Sequence, residues 1–192
     1  MVLLASASPR RRELLSLLVQ DFKTRPRDID ETPHVAEAPE DYVLRLARAK
    51  ANAVDSDGEV VIGADTTVTL RDRILGKPAN ASDARAMLEA LSGTHHWVHT
   101  AVAIRCRDTT LSRLVSSKVH FVPLSESLIE AYLKTDEPWD KAGSYGIQGL
   151  AGSFVSRIEG SYSAVVGLPL VETRELLAEF GVTPQWSDRR HG

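Results

Sequence analysis

An apolar run of β-branched residues, Val60-Val61-Ile62, leads straight into Gly63-Ala64-Asp65-Thr66-Thr67 and on to Leu70. A run with no polar alternate side is the pattern of a strand covered on both faces. Such a strand needs a layer on each side, which points the chain towards α/β architectures. The rest of the pattern agrees. Val2–Ala5 is a short strand, and Ser8-Pro9 reads as an N-cap followed by proline at the first helical position, with Leu14, Leu15, Leu17 and Leu18 as the apolar face. A second helix starts near Pro39 and carries Tyr42, Val43, Leu46 and Ala49 at helical spacing, and Arg45 and Arg48 read as its surface. Arg71-Asp72-Arg73 reads as a turn. Asn80 caps a third helix that Gly93 stops. Val98–Ile104, Leu114–Val122 and Phe154–Ile158 read as strands. Ser125–Leu133 reads as a helix, and Pro169 opens a last one ended by Gly181. The expected fold is therefore α/β with a mixed or curved sheet. It forms one domain over residues 1–192, with a polar, frayed tail from about Ser187.

Charge and cysteine content restrict the class of partner. Lys and Arg total 23 against 26 Asp and Glu, a net charge of −3. Nucleic-acid coats draw their affinity from excess basic charge, so no nucleic-acid partner is expected. A single cysteine, Cys106, rules out an internal disulfide or a cysteine zinc site and fits a reducing compartment. No stretch approaches the ~18 apolar residues of a membrane span, and Arg10 to Arg12 interrupt the apolar start too soon for a signal peptide. A cytoplasmic protein with no membrane partner is the expectation.

Four constellations carry candidate chemistry. In Ser6-Ala7-Ser8-Pro9-Arg10-Arg11 two hydroxyls precede a helix whose first turn holds two arginines. Helix N-termini attract anions, so cations there are locally unfavourable unless an anion binds; a solvated basic face is the bland alternative. Asp65 interrupts an otherwise apolar strand. It must be paired, metal-bound or protonated there, unless it is a turn or capping residue. In Asp28-Ile29-Asp30-Glu31, clustered carboxylates could hold Mg²⁺ or Mn²⁺, although an acidic surface loop gives the same string. In Asp140–Gly149 the glycines permit close backbone approach, and Gln148 offers both a donor and an acceptor to a nucleobase edge; a flexible loop is the alternative. Lys50 and Lys77 are single lysines, the second pinned between Gly76 and Pro78. Glu159–Ser163 either closes over a site or turns the chain. His95, His96 and His99 lack the glutamate of the zinc-protease motif, and a structural role is expected for them. Cys106 has no activating neighbour in sequence and reads as inert.

Taken together, six strings in register resemble the Maf family of nucleoside triphosphate pyrophosphatases. They are Leu4–Arg11, Gly63–Thr66, Gly76-Lys77-Pro78, Ser92-Gly93 with His96 and Thr100, Asp140–Gly149, and Gly160-Ser161-Tyr162 through Val166–Pro169. The resemblance implies a Maf/inosine-triphosphatase-like curved mixed sheet flanked by helices, with two lobes around a central cleft and frequent homodimers. It implies hydrolysis of a nucleoside triphosphate to the monophosphate and pyrophosphate with a divalent metal. The late Lys-Ala-Gly and Gly-Ile-Gln-Gly strings resemble the branch that acts on dTTP and UTP. By the same resemblance Arg10, Thr66 and Gln148 fall at base-choice positions and Asp65 at the general-base position. Ser6, Arg11, Glu31, Lys50 and Lys77 fall at catalytic or phosphate-binding positions. Glu31 and Asp65 are the expected metal carboxylates. The rival readings are another base, such as 7-methyl-GTP, or a non-catalytic nucleotide binder that acts in cell division.

Overall fold

The computed structural model describes residues 1–71 and 73–187. Its strands form one mixed sheet of seven. The first strand, β1 (Val2–Leu4), is followed by helix α1 (Pro9–Ser16) and strand β2 (Phe22–Thr24). Next come helix α2 (Pro39–Asn52) and the long strand β3 (Val60–Leu70). β1 pairs in parallel with β2 on one side and β3 on the other, with Leu3 opposite both Lys23 and Val61. Parallel neighbours require a crossover, which α1 and α2 supply. Because the chain leaves β1 in one direction for β2 and returns past it for β3, the carboxyl end of β1 is a topological switch point. Open α/β sheets place ligands at such points.

β3 turns back into β4 (Arg73–Leu75), antiparallel, with Leu70 opposite Arg73. The expected turn at 71–73 includes residue 72, which lies outside the described residues. Helix α3 (Ala81–Leu91) precedes the two longest strands, β5 (His95–Cys106) and β6 (Thr109–Phe121). Helix α4 (Glu126–Leu133), strand β7 (Val155–Glu159), the short helix α5 (Tyr162–Val166) and helix α6 (Leu170–Glu179) complete the order. The sheet runs β2-β1-β3-β5-β6-β7, with β4 beside β3 and β7 antiparallel to β6. Ser8, Asn80 and Ser125 cap α1, α3 and α4 as expected, each accepting a backbone N–H three residues on.

Three elements depart from the sequence reading. β2 and β4 are three residues long, too short for any periodicity to announce them. The Glu159–Ser163 segment leads into α5 instead of staying a simple loop. The expected fraying of the tail falls mainly on residues 188–192, outside the described residues.

The described chain groups into two compact units, one of residues 1–65, 100–115 and 167–187, the other of residues 66–71, 73–99 and 116–166. In the first, Val43, Ala47 and Ala51 of α2 pack with Ala101 and Ala103 of β5, while Leu3, Ala5, Val54 and Val61 form a second apolar cluster. In the second, Leu88, Leu91, Phe121, Tyr132, Tyr145 and Phe154 form the core. His96 is buried there, its Nε2 2.7 Å from the Tyr145 hydroxyl and its ring edge-on to Phe121. Burial pushes its pKa down to about 3, so the ring is neutral. His99 is also committed to side-chain hydrogen bonds, with Thr69 and Ser116. Both histidines thus serve the strands that carry them.

Candidate active site

Where β1 ends, the chain enters α1 through two hydroxyls. Buried Ser6 accepts the Ser8 N–H at 3.2 Å, and the Ser8 Oγ accepts the Arg11 N–H at 3.4 Å. The first turn of α1 holds no acid, and Arg10 and Arg11 stand in it. The Arg11 guanidinium folds back over this helix start. Its Nε donates to the Gly167 carbonyl at 2.9 Å and its Nη1 to Ser6 Oγ at 3.4 Å. Desolvation pulls the Arg11 pKa down, and Asp65 and Glu31 push it back up. A guanidinium and a positive helix end therefore sit together at the switch point, an arrangement that favours an anion.

The acidic part of the site depends on a close helix–strand contact. Gly63 and Asp65 lie two apart on β3 and share a face. A Cβ built on Gly63 would stand 2.3 Å from the Ala47 carbonyl oxygen and 2.5 Å from the Ala51 nitrogen, so only glycine lets α2 lie this close. Lys50 immediately precedes Ala51. Its Nζ reaches Asp65 Oδ1 at 2.6 Å and Glu31 Oε1 at 2.8 Å. The Asp65 side chain is 10% exposed and that of Glu31 is 55% exposed. Desolvation pushes the Asp65 carboxyl up from its usual range, against the pull of Lys50 and Arg11; the Glu31 charge pushes it further up. The structure thus brings together Ser6, Arg11, Glu31, Lys50 and Asp65, with Arg10 in the same helical turn as Arg11.

The loop that carries Glu31 has no helix or strand from residue 25 to 34. Asp28 is exposed, and Asp30 folds back to accept the Thr32 N–H at 2.9 Å. The Tyr42 hydroxyl donates to the Glu31 carbonyl at 2.9 Å, and Arg45 Nη2 donates to the Thr32 carbonyl at 3.1 Å. Arg45 is held by Glu37 through a two-pronged pair at 2.6 and 2.7 Å. Reading Arg45 as helix surface is therefore corrected: it ties a loop to its helix. Sequence offered no signal for this, because Glu37 lies before the helix and nothing in the pattern shows the loop folding back.

Thr66, Lys77 and Gln148 belong to the second unit. Thr66 follows Asp65 on β3 and is half-buried, whereas Lys77 and Gln148 are exposed. The Gly143 N–H donates to the Gly76 carbonyl at 3.1 Å, which ties the glycine loop to the turn bearing Lys77. Glu137, which sequence reasoning passed over, anchors the far side of that loop. Its carboxylate accepts the Leu150 N–H at 2.7 Å and the Ala151 N–H at 3.1 Å, on the chain segment just past Gln148. Gly149 lets that carboxylate lie close, since a Cβ there would stand 2.2 Å from Glu137 Oε2 and the Glu137 side chain would have to shift.

Among the described residues, no three His, Cys, Asp or Glu side chains form a preformed metal cluster. Glu31 and Asp65 do converge on one ammonium, so their contacting oxygens are no more than about 5.4 Å apart, the two Lys50 distances placed end to end. Two carboxylates, with phosphate oxygens and water completing the shell, suit a hard ion such as Mg²⁺. The chemistry of these donors, two carboxylates, is of the kind a divalent cation takes, and in this structure both carboxylates are engaged by the Lys50 ammonium.

Comparison with known proteins gives consistent matches. The Maf-like protein family matches residues 1–180. A dTTP/UTP pyrophosphatase of Shewanella sp. (strain MR-7) is 53% identical over 191 residues, covering 94% of this chain and 98% of the relative. One from Hahella chejuensis is also 53% identical, over 97% of this chain and 95% of the relative. One from Vibrio cholerae is 51% identical, over 93% and 97%. The solved structure of the Staphylococcus aureus Ham1 protein aligns with a TM-score of 0.44 at 14% identity, covering 62% of this chain and 71% of that one.

Proposed function

The chain belongs to the Maf-like protein family, and on that premise we propose that it is a nucleoside triphosphate pyrophosphatase that hydrolyses dTTP and UTP to the monophosphate and pyrophosphate. Relatives at about half identity over nearly the whole chain carry that name. The observation that carries the mechanism is the Lys50 ammonium set between Glu31 and Asp65, beside Arg11 at the start of α1.

The residue roles follow from that geometry. The triphosphate is a multiply charged anion, and Arg11, the α1 N-terminus and Ser6 form the positive surface for it. Water adds to the α-phosphorus, the bond to the bridging oxygen breaks, and that oxygen leaves with pyrophosphate. Asp65 takes the proton that the water gives up. Its raised pKa makes it a better base than an exposed aspartate, and Lys50 keeps it ionised and aimed. Glu31 and Asp65 are the carboxylates that would hold a divalent cation, and Mg²⁺ or Mn²⁺ there would supply positive charge against the departing pyrophosphate. Lys77 adds positive charge for phosphate, and Arg10, Thr66 and Gln148 select the base; the family resemblance supports these roles. Family resemblance also supports a homodimer in the cytoplasm. No described helix is long and apolar enough to cross a membrane.

The test is to supply dTTP, UTP, CTP and 7-methyl-GTP with Mg²⁺ or Mn²⁺ and to identify the products. Pyrophosphate and monophosphate from dTTP and UTP are expected. Orthophosphate would refute the mechanism, preference for 7-methyl-GTP the substrate, and binding without turnover the activity itself.

A further inference from the structure

We propose that Tyr42 and Arg45 are positioning residues for Glu31, with Glu37 holding Arg45 in place, so that α2 supplies both the partner of the Glu31 carboxylate and the grip on its backbone. The inference rests on the reading that Glu31 works in the phosphate chemistry.

Glu31 needs such a grip. Its side chain is 55% exposed and its segment has no regular structure, yet its carboxylate stands 2.8 Å from Lys50. Exposed ion pairs contribute little on their own, and ordering an irregular segment costs about 1–2 kcal/mol of backbone entropy per residue. Lys50 alone would not keep Glu31 in place. The loop backbone is held at two successive carbonyls, Glu31 by the Tyr42 hydroxyl and Thr32 by Arg45. Tyr42 and Arg45 lie three apart on α2 and are therefore neighbours on its surface; the guanidinium sits 5.5 Å from the Tyr42 ring centre.

Glu37 completes the device. Its side chain is nearly buried, forks onto Arg45 and accepts the His34 N–H at 3.0 Å. The hydrogen bonds from Arg45 hold the Glu37 carboxyl well below its usual range, at about 2, so it stays ionised through any working pH. Residues 31 to 37 thus close into a loop pinned at both ends to one helical turn. The arrangement fixes the backbone from which the Glu31 side chain reaches Lys50.

The experiment is a double-mutant cycle with an independent structural readout. Tyr42→Phe removes one oxygen, and Arg45→Gln removes the fork. Turnover of dTTP with Mg²⁺ is measured for each, alone and combined with Glu31→Gln. A carboxylate displaced by about 1 Å loses up to ~10²-fold, so Arg45→Gln should lower kcat by about 10- to 100-fold. Tyr42→Phe should lower it less, and KM should change little in either. In the Glu31→Gln background both losses should shrink to within about 2-fold, because the residues act through Glu31. Equal losses in both backgrounds would overturn the proposal. Amide exchange at Thr32 and His34 supplies the second arm, since both N–H groups are bonded within the loop. Faster exchange there in Arg45→Gln, with the amides of α2 still protected, is expected, and unchanged exchange refutes the grip. Tyr42→Phe keeps the test usable if Arg45→Gln fails to fold. If wild-type protein releases no pyrophosphate, the functional reading fails, and the exchange arm alone decides the positioning.

Discussion

Replacing Gly63 by alanine adds one methyl group at the point where α2 meets β3. That methyl would lie 2.3 Å from the Ala47 carbonyl and 2.5 Å from the Ala51 nitrogen, where ordinary contact begins at 3.4 Å. The shortfall is about 1.1 Å against backbone atoms, so relief requires moving the helix, since no side chain can turn away. Overpacking of this kind costs about 1–3 kcal/mol. At about 2–4 °C per kcal/mol for a chain of this size, Tm should fall by roughly 2–12 °C. Function should suffer more than stability. A shift of that size would stretch the 2.6 Å contact between Lys50 and Asp65 beyond hydrogen-bonding range. Misplacement by ~1 Å costs up to about 10²-fold in rate. Denaturant unfolding, together with dTTP turnover measured well below Tm, separates the two effects. A Gly63→Ala protein with wild-type turnover would show that the tight seating of α2 does not set the site.

Three further outcomes are expected. Asp65→Asn should lose about 10²–10⁴-fold in turnover, as removal of a general base does, and its Tm should stay level or rise. The sign follows from the raised pKa: folded protein holds that proton more tightly than unfolded protein, so stability falls as pH rises through the window above 3.8, a cost the variant lacks. A Tm several degrees lower would contradict it. His96→Gln should flatten the acid limb of stability. The wild-type ring, at about 3 folded against 6.5 unfolded, costs stability as pH falls from 6.5 towards 3, by up to ~1.4 kcal/mol per pH unit. Urea titrations at several pH values read that slope, and identical slopes in the two proteins would refute it. A chelator should stop turnover without unfolding, with Mg²⁺ or Mn²⁺ restoring it; unchanged turnover would remove the metal from the proposal.

The elements whose logic is local were legible in the sequence. Ser8, Asn80 and Ser125 announce helix starts because a cap is chosen by the residues next to it. The apolar run at Val60 announces β3 because a buried strand has no polar side. β5 and β6 run past their most apolar stretches, to His95 and Cys106 and back to Thr109, because sheet pairing as well as apolarity sets where a strand ends. Asp65 stood out as a charge in an apolar strand, and the arginines of α1 as cations on the wrong end of a helix. What relieves them could not be seen. The carbonyl that holds Arg11 belongs to Gly167, 156 positions away. The role of Arg45 was hidden for the same reason: an arginine on a helix looks solvated until the loop that folds over it is known. Gly63 directly follows the apolar run but matters through the facing helix, and no pattern within β3 reveals how near that helix lies.

In the proposed mechanism water attacks the phosphorus nearest the sugar. Hydrolysis of dTTP in ¹⁸O-water tests this directly. One labelled oxygen in the phosphate of dTMP, with unlabelled pyrophosphate, is the predicted result; label in the pyrophosphate would place the attack at the next phosphorus and contradict the account.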